Sequence, residues 1–355
     1  MRLDLFLMRR GVLNLLLYPF SLIFCCIVRL RRFLYSKGLF KVYVPKITTI
    51  SVGNIVGGGS GKTPFTIFLA QTLTKRGYNV AITHRGYKGA YEKGNVIISD
   101  ENGIREEASI AGDEPLLLCQ KLPNLPIIVG KDRSRSIEIL QESYPDLDFI
   151  ILDDSFQHLK VKKSVNIVLF SSLTKLGNGF VYPAGLLREP LSSLKYADFL
   201  IYNGDDSVPK FLQRVEKSVF TTNYKVNRLY KSDGETVESS SLGGKMVALI
   251  SGIGQPKSFE QTMLRSGISF ERHYMFPDHH SYSQSKREQT LFEEMYSRYD
   301  FLITTEKDYT KLSNTIIKDK LIIVEIKLNF EDSEEFLELL LKNNKEHNQQ
   351  PSTTG

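Results

Sequence analysis

Short apolar blocks rich in β-branched residues recur along the chain, at 47–52, 79–83, 96–99, 127–129, 149–152, 166–170 and 198–202, then at 246–250, 301–304 and 321–326. Runs of this length, bounded by glycine, proline or charged residues, read as buried strands. Between them lie stretches with apolar residues three and four apart, such as Phe65, Phe68, Leu69 and Leu73, or the segment 116–122, which read as helices. This alternation predicts an α/β fold on mainly parallel sheets. The pattern breaks at about 221–245, a polar, serine-rich stretch with turn signals at Ser232-Asp233-Gly234 and Gly243-Gly244. We therefore expect a main domain at 41–225, a linker at 226–245, a smaller α/β domain at 246–342 and a disordered polar tail at 343–355. No internal repeat is visible.

The first forty residues follow a different pattern. Residues 11–28 carry no charge and are rich in Leu, Ile and Phe; Arg9 and Arg10 precede them, and Arg29, Arg31 and Arg32 follow. No small-residue cleavage site follows, which disfavours a removed leader. A full span is marginal, because the stretch barely reaches the ~20 residues required and contains Pro19. It would also leave one arginine-rich flank on the wrong side of the membrane. A buried core helix is the plain alternative. The favoured expectation is a helix dipping into one leaflet, with its arginines at anionic headgroups. Charge agrees: residues 1–46 hold nine Arg or Lys against the single acid Asp4, in a chain of net charge +6. A basic head on a near-neutral body disfavours nucleic acid as the partner. Cys25, Cys26 and Cys119 form no disulfide framework or metal spacing, which suits a reducing compartment.

The candidate chemistry starts at the first strand. Val56-Gly57-Gly58-Gly59-Ser60-Gly61-Lys62-Thr63 lies between strand 47–52 and the helix opened by Pro64. Strand, glycine-rich loop, then Gly-Lys-Thr at a helix start is a phosphate-binding loop: backbone N–H groups cradle phosphates, Lys62 reaches the β- and γ-phosphates and Thr63 offers a hydroxyl to magnesium. Val56 stands where the usual spacing has glycine, which predicts a variant loop. Strand 149–152 ends in Asp153-Asp154, the acids expected to serve the metal. Further loops at strand ends carry His84-Arg85-Gly86-Tyr87-Lys88-Gly89, Gly112-Asp113-Glu114-Pro115 and Gly130-Lys131-Asp132-Arg133. Asp113 read alone is a helix N-cap. Segment 177–190, with three glycines and two prolines, reads as a shaped loop over a site.

Taken together, SVGNIVGGGSGKTP (51–64), RGYKG (85–89), GDEP (112–115), DDSFQH (153–158), PAGLLREP (183–190), FPDHH (276–280) and TTEKD (304–308) closely resemble the tetraacyldisaccharide 4′-kinases of lipid A biosynthesis. Seven motifs in order are highly specific, and the family's own loop also lacks glycine at the position of Val56. The resemblance implies a P-loop NTPase-like α/β kinase that uses ATP and Mg2+. Its acceptor would be the 4′-hydroxyl of a tetraacylated glucosamine disaccharide 1-phosphate, a lipid A precursor, phosphorylated at the cytoplasmic face of the bacterial inner membrane. It implies Asp113 and His279 as the catalytic pair beside Lys62; Asp153, Asp154 and Gln157, with Thr63, at the metal and reacting phosphates; and Arg85, Arg133, Arg188 and Glu189 at the polar head of the substrate. No obligate protein partner is evident. Ser155 departs from the family's usual glycine, which is harmless only if the turn there is relaxed. His279 fits the motif better than His280, and no cysteine or third histidine stands at zinc spacing. The competing class, a nucleotide-driven switch or delivery protein, normally carries an N/T-K-x-D loop, whereas Thr174-Lys175-Leu176-Gly177 lacks the aspartate.

Overall fold

The computed structural model describes residues 7–8, 10–87, 89–278, 280–282 and 285–349. They form two compact units, one running to Thr222 and resuming at Phe330, the other Asn223–Asn329.

The first unit opens with helix α1 (Val12–Ser36), then alternates β1 (Thr48–Gly53), α2 (Lys62–Lys75) and β2 (Val80–His84), a β3–β4 hairpin (Asn95–Asp100, Gly103–Ile104), α3 (Asp113–Lys121), β5 (Ile127–Gly130), α4 (Arg133–Ser143), β6 (Phe149–Asp153), β7 (Val165–Ser171), β8 (Phe199–Asn203) and the short α5 (Lys210–Gln213). β9 (Ser218–Tyr230) starts here, its first residues pairing in parallel with β8. The strand order is β9-β8-β7-β1-β6-β2-β5-β3-β4, all parallel except the β3–β4 edge. β1, β2 and β6 are buried along their whole length, as apolar runs in a covered parallel sheet must be. Register fixes the site: Val52 pairs with Asp153, and Thr83 with Leu152. The carboxyl ends of β1, β6 and β2 therefore deliver the glycine loop, the two aspartates and His84 side by side, where open α/β sheets bind ligands.

In the second unit, β10 (Val247–Ser251), α6 (Pro256–Arg265), β11 (Arg272–Met275), α7 (Lys286–Arg298), β12 (Phe301–Thr305), α8 (Glu306–Leu312) and β13 (Leu321–Asn329) build a parallel sheet ordered β11-β10-β12-β13, with the later residues of β9 antiparallel on β13. Two apolar clusters close it, one around Leu249, Phe259 and Met263, the other around Ile250, Phe292 and Tyr299. The last helix, α9 (Ser333–Gln349), returns to the first unit, where Phe330 and Phe336 join Phe65, Phe199 and Phe220 in an aromatic core.

Three boundaries differ from expectation. The second unit ends at Asn329, so residues 330–342, expected in the smaller domain, belong to the first unit. The stretch 226–245 is not a linker: β9 runs to Tyr230, Tyr230 bridges Thr236, and Leu242 is buried. β9 alternates polar and apolar residues on a half-exposed strand, so its composition resembled a connection. Residues 343–349, expected to be disordered, lie in α9; 350–355 are outside the described residues.

Helix α1 is long and apolar enough to cross a membrane, yet little of it is buried, which rules out the core-helix alternative. Leu15, Leu16, Phe20, Ile23 and Ile27 are each more than half exposed. Its inner face is polar and pinned: Asn14 Nδ2 donates to Ala184 O at 2.8 Å, and Ser21 Oγ donates to Val181 O at 2.7 Å and accepts from Ala184 N at 3.0 Å. Both side chains are buried. The expectation that its arginines point at headgroups needs correction for Arg32, which is turned inward, whereas Arg31 and Arg10 are exposed and each donates to one backbone carbonyl. Arg32 forms a bidentate pair with Glu189 (2.6 and 2.8 Å), Arg31 donates to Gln157 O at 3.0 Å, and Arg10 donates to Asn178 O at 3.0 Å. Arg9 lies outside the described residues.

Candidate active site

The glycine loop is built by its neighbours as much as by its glycines. Gly58 (φ 105°) and Gly61 (φ 84°) take left-handed conformations that other residues resist, Gly61 as the N-cap of α2. Asn54 ties the loop from inside, its Nδ2 donating to Val56 O at 2.7 Å and Ser60 Oγ at 2.9 Å. Val56 needs no glycine freedom, because it bridges Leu187 across a short antiparallel pair and buries its side chain beside Phe156 and Phe170. Gly57 N is already spent on Leu186 O at 2.7 Å, and Arg188 N donates to Ile55 O at 2.7 Å. Val56 and Gly57 are thus held by the 181–190 segment, and the turn from Gly58 to Thr63 leads into α2.

Opposite the loop stand the two aspartates. Asp153, at 1% exposure, accepts from Thr63 Oγ1 (3.2 Å), Thr66 Oγ1 (3.3 Å) and Asp154 N (2.9 Å). Burial pushes its carboxyl up from the ordinary aspartate range. Asp154 occupies a left-handed turn (φ 47°), which aims its side chain away from Asp153. It meets Lys62 Nζ at 3.5 Å and Arg188 Nη1 at 3.2 Å. Burial pushes against its charge, but those two cations prevail and hold it below the ordinary range. The strain of the turn falls on Asp154, so Ser155 is relaxed; its hydroxyl lies 2.8 Å from Ser51 Oγ and donates to Leu152 O at 2.8 Å.

Two residues not singled out from the sequence complete the cluster. Gly86 N donates to His84 Nδ1 at 2.9 Å, so the ring proton sits on Nε2, 3.3 Å from Glu114 Oε2 and 3.9 Å from Asp153 Oδ2. That hydrogen bond holds the Glu114 carboxyl below its ordinary range. The GDEP motif contains the signal for Glu114; its aspartate, Asp113, is the half-buried first residue of α3, whose N-cap is Gly112.

Other assignments shift. Gln157 Nε2 donates to Asn54 O at 2.7 Å, so its amide braces the phosphate loop. Arg133 is 2% exposed and donates to Asp153 O at 2.8 Å; burial lowers it to about 10. It supports the strand end and is not open to a substrate. Glu189, also buried, is committed to Arg32. Arg85, exposed and paired with Glu92 at 3.0 Å, and Arg188 remain accessible cations. His279 lies outside the described residues. His280 Nε2 donates to Glu288 Oε1 at 2.6 Å and its ring stacks on Phe276, and the same loop is fixed by Lys307 on Asp278 (3.0 Å) and Tyr282 on Asp308 (3.0 Å).

Among the described residues no cluster of three or more His, Cys, Asp or Glu can hold a metal alone. Thr63 and Asp153 nevertheless offer adjacent hard oxygens beside the phosphate loop, the donor set that suits Mg2+ completed by nucleotide oxygens and water. Lys62 and Arg188, flanking Asp154, are the charge a polyphosphate would draw on.

Residues 13–345 match the family model of tetraacyldisaccharide-1-P 4′-kinase. A tetraacyldisaccharide 4′-kinase of Desulfatibacillum aliphaticivorans is 34% identical over 341 residues, 93% of this chain and 92% of that protein. One from Geobacter sulfurreducens is 36% identical over 289 residues, 81% of each. Among solved structures, the "apo" form of LpxK from Aquifex aeolicus in complex with ATP is similar with a TM-score of 0.75 and 31% identity, covering 94% of this chain and 99% of that one.

Proposed function

Because the chain belongs to the tetraacyldisaccharide-1-phosphate 4′-kinase family, we propose that it transfers the γ-phosphoryl group of ATP to the 4′-hydroxyl of a tetraacylated glucosamine disaccharide 1-phosphate, giving lipid IVA. The observation that carries this is the junction of β1, β6 and α2, where Lys62 and Thr63 face Asp154 and Asp153. Lys62, released from Asp154, pairs with the phosphates and follows the charge that builds on the transferring group. The turn at Gly58–Thr63 supplies N–H donors and the start of α2 adds partial positive charge. Arg188 neutralises the same oxygens from the other side. Magnesium, when bound at Thr63 and Asp153, would neutralise phosphate charge and order the polyphosphate. Asp113 is our candidate for the group that takes the hydroxyl proton, with His279 as its functional partner; the commitment of His280 to Glu288 favours His279 over its neighbour. Arg85 is the remaining candidate for the acceptor's anionic head.

The exposed apolar face of α1 supports docking at a membrane surface, which for this acceptor is the cytoplasmic face of the inner membrane. The test is ATP turnover with and without a lipid A precursor. Turnover should require the acceptor and vanish in Lys62→Ala, with an unchanged melting curve. Acceptor-independent hydrolysis at the same rate, or a working Lys62→Ala enzyme, would overturn the reading.

A further inference from the structure

Where α1 ends, the chain turns at Gly38 and runs back past its own helix. Tyr43 pairs with Val161 in a short parallel bridge, Tyr43 N donating to Lys160 O at 2.7 Å and Lys162 N to Tyr43 O at 2.9 Å. This brings Lys41 and Lys160, far apart in sequence, into the lining of one groove of about 620 Å³. Its walls are apolar: Ile27, Leu30 and Leu34 from α1, and Phe40 from the segment that follows it. Tyr35 packs on Phe40 with ring centroids 5.0 Å apart, and both line the groove. Arg31 is the third cation, steadied by its bond to Gln157 O and by Tyr35, 5.6 Å beneath its guanidinium. Among the described residues no carboxylate lines the groove.

Three cations over an apolar trough match a molecule with one anionic head and a hydrocarbon chain. Ile27 and Leu30 also belong to the exposed apolar face of α1, more than half of each side chain being open, so the trough continues the surface that would meet lipid. The volume is within the range of ligand-sized sites, roughly 300–1,000 Å³. Arginine and lysine offer multiple N–H donors in complementary geometries for a phosphodiester. None of these residues takes part in the nucleotide cluster.

We propose that this groove binds one anionic phospholipid of the surrounding bilayer, its phosphate held by Arg31, Lys41 and Lys160 and a chain lying along Ile27, Leu30 and Phe40. The proposal goes beyond the kinase reading and rests only on membrane docking through α1. Such a lipid would fix the depth and rotation of the helix, where exposed leucines alone would let it slide.

The test uses the full-length protein and flotation with vesicles of phosphatidylcholine, alone or with a third phosphatidylglycerol, at physiological ionic strength. Wild type should prefer the anionic vesicles. Lys41→Ala, Lys160→Ala together should erase about 25- to 30-fold of that preference, at roughly fivefold per lysine, while binding to neutral vesicles and kinase activity on detergent-dispersed acceptor stay unchanged. A control of equal charge outside the groove, Lys37→Ala with Lys46→Ala, should keep the preference. An equal loss in the control would mean diffuse attraction and overturn the site. Equal binding of wild type to both vesicles would overturn it too, with helix docking intact; no binding to either would fail docking itself. Displacement of a photoactivatable phosphatidylglycerol from residues 27–41 by the acceptor would give the groove to the substrate and also sink the proposal.

Discussion

Arg32→Ala should be among the most damaging changes outside the nucleotide cluster. The Arg32 side chain is 9% exposed and Glu189 is 3% exposed, with Nε to Oε2 at 2.6 Å. The guanidinium lies over Phe156 at 4.8 Å and Tyr196 at 4.7 Å. Removing one partner of a buried pair strands the other charge, at a cost of about 3–5 kcal/mol. Lys163, close enough to interact with Glu189, places the cost toward the lower end. At ~2–4 °C per kcal/mol for a domain of this size, melting should fall by roughly 6–20 °C. Replacing both partners by methionine strands no charge and should be less harmful than Arg32→Ala alone. The damage should also reach the nucleotide, since Leu186 and Arg188 hold the backbone of Gly57 and Ile55, so KM for ATP should rise in the single variant. Thermal unfolding by circular dichroism, with ATP kinetics in parallel, measures both. An Arg32→Ala protein within ~1 kcal/mol of wild type, or a double variant as unstable as the single, would refute the account.

Substituting Leu16, Phe20 and Ile23 by glutamine should weaken vesicle binding on the order of a thousandfold at ~1.5 kcal/mol or more per side chain, with melting unchanged; retained flotation would remove α1 as the anchor. Burial pushes the Lys163 amine down to about 7. The folded chain then binds fewer protons than the unfolded one between about pH 7 and the unfolded lysine value near 10.4. Wild type should therefore gain stability relative to Lys163→Met across that window, read by melting at several pH values; a flat or opposite trend would show that the carbonyls around it hold an ordinary ammonium. Asp113→Ala and His279→Ala should each lower kcat by about 10²–10⁴-fold, and the double variant scarcely further if they act as a unit; fully additive losses would refute the pair.

The strands of the first unit were legible because a parallel sheet covered on both faces leaves unbroken β-branched runs, as in β1 and β6. β9 and β11 were not, since both are half-exposed and carry arginine, lysine or asparagine along the strand. At the site, the placement of the glycine loop and the two aspartates at strand ends could be read from spacing alone, because strand and helix boundaries dictate it. Roles that depend on burial could not. Arg133, Glu189 and Gln157 carry the same side chains whether they face a substrate or brace a loop, and only the fold shows Arg133 and Glu189 at 2% exposure. The partners of His84 could not be read from the sequence, because they come from β2 lying next to β6, a pairing between distant segments.

Why five consecutive residues, Asp153 to Gln157, form one motif has a physical answer in the way each takes a different neighbour. Asp153 is turned inward to Thr63 and Thr66, and the left-handed turn at Asp154 sends the next carboxylate out to Lys62 and Arg188. Ser155 reaches back under β1 to Ser51, Phe156 lies beneath the Arg32 guanidinium, and the Gln157 amide braces Asn54, which itself ties the glycine loop. The backbone is secured separately, by Lys163 Nζ on the carbonyls of Ser155, Phe156 and His158 at 2.9–3.3 Å, and by Arg31 on that of Gln157. One short loop therefore contacts the phosphate loop, the metal-type oxygens and the foot of the apolar helix together. A shift of that helix cannot be absorbed by slack side chains, because Arg31 and Arg32 grip the same loop that positions Asp153 and Asp154. On the proposed docking of α1 at a membrane surface, this coupling would hold the phosphate loop and its aspartates at one height relative to the docked helix.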